Sequence, residues 1–201
     1  MAVPAVVRYG YGFVQGADAA AAELGAEDVE IKYVYGNHFY GDADITANMD
    51  TWYKDKHVEV VFACGGGIYT SAAEAAKKLK GKKVIGVDVD QKGTIDGMYG
   101  DGITVTSAMK GLAATVYTEL ASILNGEFAG GKVERLGLVS DDPAENFVQI
   151  AETTQFADGF TADDYTALVV KMNAGEITVS DAIDAEPAVN AVKVEYLGNI
   201  K

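Results

Sequence analysis

The amino-acid sequence predicts an α/β protein built on a doubly wound parallel sheet. Two observations carry that expectation. Three short apolar or β-branched runs, VEIKYVY (29–35), VEVVFAC (58–64) and KVIGVDVD (83–90), alternate with segments whose apolar residues recur at helical spacing. The second run is continuously apolar, as expected of a parallel strand covered on both faces. The order helix, strand, helix, strand, helix, strand makes two successive βαβ units with a helix in front.

Each element has its own reason. Residues 6–24 place Val6, Tyr9, Phe13 and Val14 on one helical face before the small run ADAAAAELG, and Gly25 is a stop. Gly36 and Asn37 turn the chain after the first strand, and Asp42 caps a helix over 43–54 whose Ile45, Met49, Trp52 and Tyr53 form one stripe. The Gly65-Gly66-Gly67 turn feeds a small-residue helix, IYTSAAEAAKKLKG. QKGTIDGMYGDG (91–102) reads as a turn-rich surface stretch, and ITVTSAMK (103–110) as an extended crossing. A helix over 110–125 carries Leu112, Val116, Leu120, Ile123 and Leu124 on one face and stops at Gly126. VERLGLVS (133–140) reads as a strand, followed by irregular polar chain through Asp158. Thr161 and Asp164 form a capping-box variant ahead of YTALVVKMNAG, and AVKVEYL (191–197) is a terminal strand. The expected organisation is an α/β domain over 1–102, a hinge crossing and helix over 103–132, and a return segment with a helix and strand over 133–201.

Composition narrows the function classes. A net charge of −14 with 16 dispersed Lys and Arg excludes a phosphate-backbone-binding surface, so no nucleic acid is expected as partner. Cys64, the one cysteine, lies in an apolar run and reads as a buried, inert thiol. His38 and His57 lack zinc-site spacing, so neither metal nor cofactor is expected. No apolar run reaches the roughly 18 residues of a membrane span, and no basic-then-apolar signal opens the chain.

Open parallel sheets bind ligands outside the carboxyl ends of their strands, which directs attention to 36–40, 65–70 and 88–91. Asp88 follows the apolar VIGV; a carboxylate there must be paired, solvated or engaged by a ligand, and sugar hydroxyls suit its acceptor oxygens. Gly66 lies in a turn that allows close backbone approach beside a helix N-terminus. Phe39 can stack on a ring or join a satellite core. Lys110 follows an extended crossing and gains nothing from the dipole of the helix it opens, which favours a specific task over a solvated one. No catalytic constellation emerges, so the chain is expected not to be an enzyme. The spacing from the Gly65 turn to Asp88 leaves open an alternative, a nucleotide- or NAD-dependent enzyme on a Rossmann-like sheet.

RYGYGFVQGADAA, YVYGNHFYGDADITANMDTWY, VEVVFACGGGIYTSAAEAAKKL, KVIGVDVDQ and TSAMKGLAATVYTELASILNGEFAGGK, taken together and in this order, resemble the basic membrane protein (PnrA-like) family. These are substrate-binding lipoproteins of ABC transporters with a type I periplasmic-binding-protein fold. The resemblance implies two lobes closing on a purine nucleoside or a related sugar-bearing ligand. Phe39 would then stack on the base, Gly66 lie beside the ribose, and Asp88 and Lys110 bind ribose hydroxyls. It also implies an ABC permease as partner of the full-length receptor and an extracytoplasmic, membrane-anchored location. The sequence departs from the family pattern at Tyr69 and Ser71, where glycines are usual, and lacks a lipobox and most of a first lobe. The chain is therefore expected to be a C-terminal portion of a longer receptor or an unusually short relative, in either case an incomplete two-lobe architecture. Its 110–125 helix would then lie exposed and serve as a possible homo-oligomer contact.

Overall fold

A computed structural model describes residues 1–200. The elements run α1 (Pro4–Leu24), β1 (Val29–Tyr35), α2 (Ala43–Lys54), β2 (Val60–Phe62), α3 (Tyr69–Ala76), β3 (Lys83–Asp88), α4 (Lys92–Tyr99), β4 (Thr104–Lys110), α5 (Leu112–Asn125), β5 (Val148–Ile150), α6 (Ala162–Asn173) and β6 (Val192–Asn199), with a 3-10 turn at Pro143–Glu145. The α/β architecture with parallel strands matches the fold expected from the sequence. It differs in one respect. The strands form two ladders, β6–β1 and β2–β3–β4–β5, rather than one continuous sheet. All pairs are parallel except β4–β5, which is antiparallel.

Local chemistry explains the elements that flank the site. Pro4 opens α1, where its missing N–H costs nothing, and Gly25 closes it in the left-handed conformation. Gly10 sits where a Cβ would fall 2.2 Å from the Tyr33 hydroxyl, so its lack of a side chain lets α1 lie close on β1. The Asp42 carboxylate accepts from the Ile45 N–H at 2.8 Å and starts α2. That helix buries Ile45, Met49, Trp52 and Tyr53, each contributing roughly 1.5–3 kcal/mol by leaving water. Tyr53 also donates to the Lys83 carbonyl at 2.7 Å, locking α2 to β3. The core continues through Val61, Ala72, Ala73, Val84, Ile95 and Ile103.

Three expectations fail, the first being that the chain is irregular from 141 through Asp158, since Val148–Ile150 form β5 against β4. Residues 91–102 are not a surface turn region, because 92–99 form α4 with Ile95 completely buried. The Asp96 carboxylate, on this helix, accepts from the N–H of Gly102 and from the N–H and hydroxyl of Thr104, which draws the glycine-rich exit onto β4. Residues 133–140 are not a strand: they are irregular and find no ladder partner. Instead Asn146 binds the Val139 and Ser140 N–H groups through its side-chain oxygen.

The end of the chain closes back on its beginning. β6 pairs with β1 over Val29–Tyr33, and Asp18 of α1 accepts from the N–H groups of Asn190, Ala191 and Val192 where β6 starts. Tyr11, Tyr33 and Tyr196 pack as an aromatic cluster between α1 and this ladder. α5 behaves differently. None of its residues is buried, and Leu112, Val116, Tyr117, Leu120, Ile123 and Leu124 are all exposed. It leaves β4 through Gly111, whose N–H donates to the Phe147 carbonyl at 2.8 Å and where a Cβ would fall 2.8 Å from the Phe147 Cα.

Candidate functional site

The carboxyl ends of β2, β3 and β4 meet the first turn of α1 at a cleft of about 270 Å³. Phe39, Gly66, Asp88 and Lys110 all line it, so the four residues singled out from separate stretches of sequence share one wall. Val3, Val6, Tyr9, Cys64 and Val87 complete much of the lining.

The charged centre is a pair. Lys110 Nζ lies 2.6 Å from Asp88 Oδ1, with both side chains about one-third exposed, and 5.5 Å from the centre of the Tyr9 ring. Asp88 and Met109 are register partners across β3 and β4, which sets Lys110 one step beyond the carboxylate. Asp88 adopts φ +71°, a left-handed backbone uncommon outside glycine but tolerated by Asp. This bend turns the chain out of β3 and brings the carboxylate to the cleft. Asp90, by contrast, accepts from the Lys92 N–H and the Thr153 hydroxyl, a turn-forming role.

The glycine turn is held from beneath. Gly67 N–H donates to the Phe39 carbonyl at 2.7 Å, and a Cβ on Gly66, at φ +49°, would fall 3.1 Å from that same oxygen. Phe39 therefore rides on the glycine turn, 42% exposed. Gln91, buried, ties the parts together. Its side-chain N–H donates to the Gly66 carbonyl, its oxygen accepts from the Val87 N–H, and its backbone N–H donates to the Ser107 hydroxyl. Gly86 makes room for it, since a Cβ there would fall 2.7 Å from both the Gln91 oxygen and the Ser107 hydroxyl.

Cys64 and Tyr9 are apolar-face groups in chemical terms. Burial pushes the Cys64 thiol up to about 12, with Lys110 opposing and Asp88 reinforcing the shift, so it is protonated at neutral pH. Burial likewise raises Tyr9 to about 12, with Cys64 and Asp88 adding to it, and its hydroxyl donates to the Met109 carbonyl at 3.3 Å. Tyr9, which lines the cleft, and Gln91, which braces its glycine turn, were given no individual role by sequence reasoning. Tyr9 shared a helical stripe with core residues, and only the placement of the α1 N-terminus over the strand ends brings it to Lys110. Gln91 carried a signal in retrospect, as a polar residue following a strand-end Asp-x-Asp.

Tyr69 and Ser71, the departures from the glycine-rich pattern, do not line the cleft. Ser71 is buried and donates to the Asp42 carbonyl while accepting from Thr46, so it fastens α3 to α2. Among the described residues no cluster of His, Cys, Asp or Glu is arranged to hold a metal. No described helix is long and apolar enough to cross a membrane.

The family model for ABC transporter substrate-binding proteins of the PnrA-like type matches residues 1–158. The chain belongs to this family. The match spans every residue of the cleft described above, and the assignment is that of an ABC transporter substrate-binding protein. No individual curated protein matches the chain in sequence.

Proposed function

We propose that this chain carries the nucleoside-binding wall of a solute receptor, with a purine nucleoside or related riboside as ligand and an ABC permease as the partner of the full-length form. The observation that supports it most is the Asp88–Lys110 pair beside an exposed aromatic. Each hydroxyl of a vicinal diol is both donor and acceptor. A carboxylate takes the protons while an ammonium donates to the oxygens, so the pair matches a ribose edge without needing a change of charge. Phe39, lining the same cleft, offers a face to a base, and the open turn at Gly66 lets the sugar approach the backbone. The role is binding, without catalysis. The receptor works outside the cytoplasm, anchored to the membrane by a lipid in its full-length form.

At about 270 Å³ the cleft is smaller than the roughly 300–1,000 Å³ of a pocket that engulfs a small molecule. That fits one wall of a site closed by a second lobe, and weak binding follows. The test is a titration of the chain with inosine, guanosine, free ribose and NAD, read by NMR shifts of Phe39, Gly66, Asp88 and Lys110. Millimolar nucleoside binding, lost in Asp88→Ala and in Phe39→Ala, is the expected result. Sub-micromolar binding would contradict the half-site reading, and a response to NAD alone would favour the dehydrogenase-like alternative.

The exposed stripe of α5 is proposed as a contact between copies. Light scattering should give a mass above 21.1 kDa that falls to it in a Val116→Lys, Leu120→Lys double variant. A monomer across micromolar concentrations would remove the idea.

A further inference from the structure

The β2–β3 ladder stops one rung short at the cleft. Its last rung runs from the Ala63 N–H to the Ile85 carbonyl at 3.0 Å, and in a parallel pair the next would run from the Val87 N–H to the Ala63 carbonyl. Here the Ala63 carbonyl accepts from the Gly65 N–H instead, at 3.0 Å, and the chain after β2 turns away from β3. The Val87 N–H is left in the gap, on a buried residue, where an unpaired donor is costly. Gln91 takes the place of the missing rung. Its Oε1 accepts from the Val87 N–H and its Nε2 donates to the Gly66 carbonyl, both at 3.0 Å. One side-chain amide thus stands in for a peptide unit between the end of β3 and the glycine turn.

The two groups it joins lead to different parts of the cleft. Val87 is followed directly by Asp88, whose carboxylate meets Lys110. Gly66 is followed by Gly67, whose N–H donates to the Phe39 carbonyl, and a Cβ on Gly65 would fall 3.2 Å from Phe39 Cδ1, so the ring lies on this turn. Gln91 does not itself line the cleft. It is fixed from behind, with its backbone N–H on the buried Ser107 hydroxyl and the Gly86 Cα close against its Oε1.

We propose that Gln91 is a positioning residue that sets the span between the Phe39 ring and the Asp88–Lys110 pair, and so selects ligands with a ring at one end and hydroxyls at the other. The ligand half of this inference rests on the riboside reading above. Glutamine suits the task because a donor must face Gly66 while an acceptor faces Val87. A protonated glutamate offers the same pair, an ionised one offers acceptors alone, and leucine offers neither.

The test compares Gln91→Glu and Gln91→Leu with the wild-type chain at each pH, so that the groups common to all three, Asp88 and Lys110 among them, cancel. Two quantities are read by NMR: amide exchange at Gly67 relative to Val84, which is bonded to the Ile103 carbonyl in the core, and the response to inosine. Burial and the facing Gly66 carbonyl raise the new carboxyl above the roughly 4.3 of a free glutamate, so in acid Gln91→Glu should match wild type in both. As the pH rises and it ionises, Gly67 exchange should quicken about 10-fold relative to Val84 and inosine binding should weaken about 10-fold. Gln91→Leu should show the weakened values at every pH. Free ribose, which reaches the Asp88–Lys110 pair without Phe39, should keep its wild-type response in both variants. A lower Tm with Gly67 exchange and inosine response unchanged in the folded chain would leave Gln91 a purely structural residue and overturn the proposal. So would an equal loss of ribose and inosine. Absence of an inosine response in the wild type would overturn the ligand half alone, and Gly67 exchange would still decide whether Gln91 fixes the turn.

Discussion

α2 and α5 have the same kind of sequence and opposite fates. Each is a helix of three to four turns with a single apolar stripe: Ile45, Met49, Trp52 and Tyr53 on one, Leu112, Val116, Leu120 and Ile123 on the other. The first stripe is buried against α3 and the β2–β3–β4 ladder, and the second meets nothing. Periodicity therefore reports that a helix needs a cover, and only topology decides whether the chain supplies one. α2 is covered because α3 and the strands of the β2–β3 ladder pack on its stripe, whereas α5, although it links the paired strands β4 and β5, has no element lying across its stripe.

The contrast should be largest in deletions of side chains. Tyr53→Ala should cost about 3–5 kcal/mol of unfolding free energy, with Tyr53→Phe costing about 1 for the lost hydrogen bond to Lys83. Leu120→Ala should stay within about 0.5 kcal/mol. Urea titrations followed by tryptophan fluorescence measure all three, and a Leu120→Ala loss near that of Tyr53→Ala would mean that α5 is covered after all.

Asp96→Ala probes the buried side from another direction and should cost about 1–3 kcal/mol. Burial alone would raise this carboxyl, but hydrogen bonds from the Thr104 hydroxyl and N–H and from Gly102 outweigh it and hold it below the usual range. A depressed carboxyl stabilises the fold above its unfolded value, about 3.9, and that contribution is lost as pH falls through its lower folded value. The wild-type chain should thus lose stability in acid more steeply than Asp96→Ala, as thermal melts between pH 6 and pH 2 would reveal.

The smallest effects belong to the two helix stops. Gly25 and Gly126 are both left-handed, with φ +61° and +71°, and a Cβ would meet nothing at either. Alanine should cost about 1 kcal/mol of local strain at each. Only Gly25→Ala should lower global stability, because α1 is packed and α5 frays on its own. Gly126→Ala should instead reduce helical circular dichroism with no change in urea midpoint.

Much of this was legible in advance for a physical reason. β1, α2, the Gly126 stop and the Thr161–Asp164 capping box depend on near neighbours, and near neighbours are what a sequence displays. α4 was illegible because its order comes from one buried residue, Ile95, and from Asp96 bonds that reach to Thr104, while its glycines advertise a turn. Residues 133–140 erred the other way. Their apolar content suits a strand, but a strand exists only beside another edge. In the cleft, Phe39, Gly66, Asp88 and Lys110 were legible as strand-end residues. Tyr9 was not, because nothing local says which end of the sheet α1 caps.

Gly111 gives the junction of β4 and α5 a mechanical meaning. It pins the chain against Phe147 one residue after Lys110, while α5 projects beyond it for 14 residues, about 21 Å. The exposed stripe and the Lys110–Asp88 pair are thus joined through a single pinned residue, with the cleft lysine on one side of Gly111 and 14 unburied residues on the other.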